Sequence, residues 1–221
     1  MKARQRATGG QRSASPLLNG WPLLGLLCLL LLAMAFALLA AMPGVEGVRM
    51  LIRATARTSA LFFLATFTAA AAWTLWPSAA TRWLRANRRQ LGLAFAFSHL
   101  IHAFAIYALM RVDPVLFGQL TMPGTFISGG LAYVFIALLA ATSLDRTAAW
   151  LGRRYWGWLH TVGVWVIWVS FVVTFGKRLA QGPFYVAALV LVFAALGLRI
   201  AAWAKRRRQR AAPAGAGSPA A

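Results

Sequence analysis

Three histidines, His99, His102 and His160, are the residues of this sequence best suited to chemistry. His99 and His102 stand three apart in LGLAFAFSHLIHAFAIYALMR (91–111), so on a helix they share one face. His160 lies in a second apolar run, 155–175. An ionisable group at bilayer depth is expensive, faces the interior of a bundle and needs a partner there. All three histidines fall in two apolar runs and none in a loop, which predicts a metal or haem held between the two helices. Neutral imidazole is a good axial ligand for haem iron, and two imidazoles from facing helices make a low-spin centre suited to electron transfer. A membrane histidine can instead hydrogen-bond a neighbouring carbonyl or hydroxyl, and that alternative needs no cofactor.

A porphyrin needs small residues beside its ligands. Ala94, Ala96, Ala103 and Ala105 on one run, and Gly157 and Gly163 on the other, supply them, although close helix packing uses the same residues. Depth gives a second constraint. His160 is six residues past Arg154, roughly 9 Å along a helix, whereas His99 and His102 are ten and thirteen past Arg89, roughly 15 and 20 Å. On depth, His99 and His160 are the easier pair around one ring.

The elements that must position these residues are six apolar runs, about 21–42, 58–76, 91–110, 126–142, 155–175 and 184–203. Each is near the ~20 residues needed to cross a bilayer, and the linkers are short. The prediction is an all-α membrane protein, a six-transmembrane-helix bundle over 17–204, between a disordered basic tail (1–16) and a basic, then Ala/Pro/Gly-rich tail (205–221). The first run is too long for the apolar region of a cleaved signal peptide and reads as a retained helix.

At 221 residues and 61% hydrophobic, the chain is far more apolar than an ordinary soluble domain. Its net charge of +20 does not point to nucleic acid, because the basic residues sit at the ends of apolar runs and in the tails. Seventeen of the 23 Lys and Arg flank one side: Lys2, Arg4, Arg6 and Arg12; Arg82, Arg85, Arg88 and Arg89; Arg146, Arg153 and Arg154; and Arg199, Lys205, Arg206, Arg207, Arg208 and Arg210. The positive-inside rule then puts both termini in the cytoplasm. The three acids, Glu46, Asp113 and Asp145, are all read as lying in loops, which argues against an ion-coupled transporter or an intramembrane protease built on buried carboxylates. Cys28, the single cysteine, has no partner for an intrachain disulfide.

Three motifs carry a family resemblance: RRQLGL (88–93) with His102 ten residues after its glycine, ATSLD (141–145), and LGRRYWGWLH (151–160). Their order and spacing resemble the ferric-reductase-like transmembrane domain family over about 54–178, and within it the haem-binding membrane subunits of periplasmic methionine-sulfoxide reductase systems. The resemblance implies a six-helix domain that binds haem b through histidines on its third and fifth helices and moves electrons across the bacterial inner membrane. By motif, His102 and His160 occupy the family's ligand positions, and His99 is extra. The family's second histidine on the fifth helix falls at Val173 here, which cannot ligate iron. Three outcomes follow: one haem per chain with His160 and either His102 or His99 as axial ligands, a five-coordinate haem, or a scaffold that has lost haem; the first is the expectation.

The function expected is a haem-b-binding electron-transfer subunit rather than a self-contained enzyme. It would take electrons from a quinol or a flavoprotein and pass them to a periplasmic redox enzyme or small acceptor, with membrane lipid around it and a quinone as a further candidate cofactor. The alternative is a non-haem six-helix scaffold or assembly protein, supported by the missing histidine at 173.

Overall fold

The computed structural model describes residues 16–121 and 123–211. The expected tails at 1–15 and 212–221 lie outside these. Among the described residues the chain is helical, in the order α1 (Gly20–Ala41), α2 (Val45–Leu75), α3 (Ala79–Ala86), α4 (Arg88–Val112), α5 (Pro114–Leu120), α6 (Pro123–Ala141), α7 (Asp145–Gly176) and α8 (Pro183–Ala211). Five of these, α1, α2, α4, α7 and α8, are long and apolar enough to cross a membrane. The apolar part of α6, Ile127–Ala141, is shorter.

Several helices outrun their apolar cores. α2 begins thirteen residues before the run expected from hydropathy, so Arg49, Arg53 and Arg57 lie on a helix rather than in a loop. Its first turn carries Glu46, which pairs with Arg49 at 3.0 Å, an i,i+3 arrangement that also complements the helix dipole. Asp145 likewise opens α7 instead of sitting in a linker. α8 continues through the basic run to Ala211, so the described part of the expected tail is helical. In each case Arg, Lys, Ala and Glu, good helix formers, carry the helix past its hydrophobic stretch. α7 is broken at Gly152, where φ is +76° and ψ is 154°. Only glycine adopts that backbone freely. The break separates a short entry segment from the part that carries His160.

α2 is the centre of the bundle. It packs on α1, α4 and α8, while α7 packs on α6 and α8, and α4 touches α6. One core gathers Phe63 and Phe67 of α2, Phe95 of α4, Ile136 of α6, Phe171 and Phe175 of α7, and Val192 and Ala195 of α8. The Phe63 ring stands 5.3 Å from Phe67, 5.7 Å from Phe95 and 5.1 Å from Phe171, centroid to centroid, within the range of favourable aromatic pairs. Outward, large apolar side chains such as Leu29, Phe36, Phe104, Ile127 and Val190 stay exposed, as a lipid-facing surface requires.

Cross-links gather helix ends at one pole. The Gly20 N–H donates to Asn87 Oδ1 (2.9 Å), Arg89 pairs with Asp145 (2.8 Å), and Lys205 Nζ donates to the Thr74 carbonyl (2.9 Å). α1, α4 and α7 therefore start where α2 and α8 end. The last carbonyl groups of α2, unpaired within the helix, thereby gain a cation from α8.

Candidate cofactor site

The seam between α2 and α4 is polar, although it lies within the apolar segments. Thr55, Ser59 and Ser98 are fully buried there. Ser98 Oγ is 2.9 Å from both Thr58 Oγ1 and Ser59 Oγ and donates to the Thr55 carbonyl at 3.2 Å. His102 ends this ladder. Its Nδ1 is 2.9 Å from Thr55 Oγ1 and 3.1 Å from the Ile52 carbonyl oxygen. Thr55 spends its own proton on the Leu51 carbonyl at 2.7 Å, and a carbonyl can only accept. The tautomer that satisfies all three groups carries the proton on Nδ1, leaving Nε2 with a free lone pair. A metal-ligating histidine is oriented by this kind of contact.

His99, one turn earlier, has its ring 5.7 Å from that of His102 and 4.7 Å from Phe95. Its Nδ1 is buried without a hydrogen-bond partner, as is the Tyr133 hydroxyl, whose ring lies 5.6 Å away. His99 and Tyr133 both line an apolar cavity of about 500 Å³ between α1, α4 and α6, with Trp21, Leu24 and Cys28 on its far wall.

His160 is elsewhere. It stacks on Trp156 at 4.2 Å and 27°, and its Nε2 is 3.1 Å from Thr142 Oγ1. Trp156 Nε1 donates to the Thr142 carbonyl at 2.9 Å, so the end of α6 holds both rings. His160 lines a separate cavity of about 530 Å³ enclosed by α2, α4, α6, α7 and the Arg199 side chain of α8. Its walls include Phe63, Phe67, Gly92, Ala96, Leu139 and Gly157, and its rim carries Arg88, Arg89, Asp145 and Arg199. Ala96, Ile136 and Ala140 line both cavities, forming a shared wall. His102 lines neither.

The structure thus brings His99 and His102 together and sets His160 in a cavity of its own. No cluster of three His, Cys, Asp or Glu able to hold a bare metal ion occurs among the described residues. The small residues expected to make room divide in the same way. Gly157 faces the His160 cavity, Ala103 the other, and Ala96 lies in the wall between them. Ala94 and Ala105 are buried in helix packing, and Gly163 is pressed against Leu139, where an added Cβ would come within 2.7 Å of Cδ1. Of the four arginines flanking the third and fifth runs, Arg88 and Arg89 reach the cavity, while Arg153 and Arg154 are exposed.

Arg199, counted from the sequence among the basic residues at the C-terminal end, is the site residue that sequence reasoning missed. It is half-buried on α8 and donates to the Phe67 carbonyl at 3.1 Å. It also lies over the Phe67 and Trp165 rings at 4.3 and 5.6 Å. Its position, four residues before the end of the last apolar run, was the available signal, since an arginine inside such a run is a functional candidate by default.

The His160 cavity fits a haem. Its volume is within the 300–1,000 Å³ usual for cofactor pockets, its walls are apolar, one wall offers an imidazole, and its rim offers cations to acidic substituents. The chain is 34% identical over 146 residues to the protein-methionine-sulfoxide reductase heme-binding subunit MsrQ of Ralstonia nicotianae, a match that covers 62% of this chain and 64% of that protein's length. The chain therefore spans less than two thirds of the curated relative it matches. No family model and no solved structure matches it.

Proposed function

We infer that this chain, an MsrQ-like member of the ferric-reductase-like membrane proteins, binds haem b and carries electrons across the bacterial inner membrane, from a quinol or flavoprotein to a periplasmic redox enzyme or small acceptor. One observation carries the reading: an apolar cavity of about 530 Å³ with His160 on its wall and guanidinium groups at its rim. Haem, when bound, supplies a one-electron carrier. The work left to the protein is to hold it, to set its surroundings and to keep water away.

His160 would be one axial ligand. Ligation through Nε2 replaces its contact with Thr142, whose hydroxyl keeps its own bond to the Leu138 carbonyl at 2.7 Å. That exchange moves the ring proton from Nε2 to Nδ1 and leaves the Thr142 hydroxyl bonded. A second ligand would have to come from α4 across the wall of Ala96, Ile136 and Ala140 that the two cavities share: the unpartnered His99 faces the far side of that wall, and His102, with its Nδ1 already tied down, lines neither cavity. A single haem per chain is favoured because Val173 cannot ligate, which leaves α7 with one histidine, His160. In this reading α6 completes six spans with both termini in the cytoplasm, and a quinol reaches the bundle from the lipid phase.

A second reading has specific support. His102 and His160 each have protein hydrogen-bond partners, as residues of a non-haem scaffold would. A reduced-minus-oxidised visible spectrum, with haem quantified per chain, separates the two. The expected result is about one low-spin b-type haem per chain, lost in His160→Ala and in one of His99→Ala and His102→Ala. Absence of haem from protein made in a haem-replete host would leave the scaffold reading.

A further inference from the structure

The chain has only three acidic side chains, and each is accounted for. Glu46 pairs with Arg49 and Arg53 at 3.0 and 4.0 Å. Asp113 caps α5, accepting the Leu116 N–H at 2.9 Å. Asp145 pairs with Arg89 at 2.8 Å. Arg199 therefore has no carboxylate partner, although it is half-buried within an apolar helix. A buried cation is normally paired. Its hydrogen bond to the Phe67 carbonyl engages a single guanidinium nitrogen, and the group has five N–H donors in a fixed fork.

The fork is also held in place. Phe67 and Trp165 lie beneath it, so its orientation costs little further entropy when an anion arrives. Arg88 lines the same cavity as Arg199 and His160, which puts a second cation near the same wall. At the rim, three guanidiniums and one carboxylate leave two uncompensated positive charges beside an apolar cavity.

We propose that Arg199 is the anion anchor of this cavity, binding a carboxylate of the porphyrin and so fixing which edge of the ring faces α8. This rests on the haem reading above. Arginine suits the role because its fork meets a carboxylate in two parallel hydrogen bonds. Arg88 contributes the second charge from the more exposed side. The apolar walls take the ring, and His160 takes the metal.

The test is reconstitution of the full-length, haem-depleted protein with haem or with haem dimethyl ester, which keeps the ring and iron but lacks the carboxylates. Binding is followed by the Soret band. The wild type should prefer haem by about tenfold or more, the scale of one charge-assisted bond. Arg199→Gln should bind both with nearly equal affinity, and Arg199→Lys should recover part of the preference. If Arg199→Gln does not elute as folded protein, the Lys variant carries the test, because loss of the fork alone should lower the preference. An unchanged preference in the substituted protein overturns the anchor, as does a wild type that binds both forms equally. Failure of the wild type to bind either form removes the haem reading itself, an outcome distinct from the other two.

Discussion

His102 Nδ1 and Thr55 Oγ1 meet at 2.9 Å across the α2–α4 seam, and the same nitrogen is 3.1 Å from the Ile52 carbonyl. Two partners on one helix therefore set the ring of a histidine on another. Thr55→Val keeps the shape, removes one of the two, and leaves the carbonyl to hold the imidazole alone. The expected cost is about 0.5–1.5 kcal/mol, read as a lower thermal midpoint in detergent. A midpoint equal to wild type would mean that Ile52 suffices.

Ser98 is the hub of that seam, fully buried and in contact with Thr58, Ser59 and the Thr55 carbonyl. Ser98→Ala should cost about 1 kcal/mol by leaving hydroxyls short of a partner. Ser98→Leu should cost more, about 2–3 kcal/mol, because the side chain has no room where α2 and α4 touch. Thermal denaturation of the pair checks the order; equal losses would show that packing at this point is loose.

Much of this was legible in the sequence, and the limits have physical causes. Apolar run length located five helices long enough to cross a membrane and the shorter α6, because lipid leaves the backbone few alternatives. It missed the start of α2, where Arg49, Arg53 and Arg57 interrupt the hydropathy without interrupting the helix. The three histidines stood out by their rarity in lipid, but their grouping did not. Which residues share a cavity depends on how helices rotate against one another, and spacing along one chain does not encode that. Arg199 went unread because a basic residue near a span end has an ordinary explanation, and only the fold shows it turned to the cavity.

Gly157 separates the fold from the cavity. An added Cβ there meets nothing within 4 Å, and the residue lines the His160 cavity. Gly157→Leu should leave the thermal midpoint of the haem-depleted protein within about 3 °C of haem-depleted wild type, the shift that roughly 1 kcal/mol produces in a chain of this size. Haem content should fall sharply, because the side chain occupies the space the ring needs. Full haem occupancy in this variant would move the cofactor out of this cavity.

Topology has its own check. With six spans, reporters fused before residue 1 and after residue 221 both respond as cytoplasmic. If α6 with its shorter apolar segment does not cross, the two ends fall on opposite sides. Opposite responses would therefore retire the six-span reading while leaving the contacts within the bundle unaffected.

The attachment of α1 has a consequence for the order of synthesis. Its entry is tied to the α3–α4 junction by Gly20 to Asn87 (2.9 Å), by Trp83 Nε1 to the Leu18 carbonyl (2.7 Å) and by Asn87 to Asn19 (3.2 Å), while much of its length stays exposed. The first of these bonds joins residues 67 positions apart. At ~5–20 residues per second, α1 waits roughly 3–13 s after leaving the ribosome before its partner exists. For that interval only α2 can cover part of it and the rest stands in lipid, which its nearly unbroken run of Leu and Ala permits and a more polar helix would not.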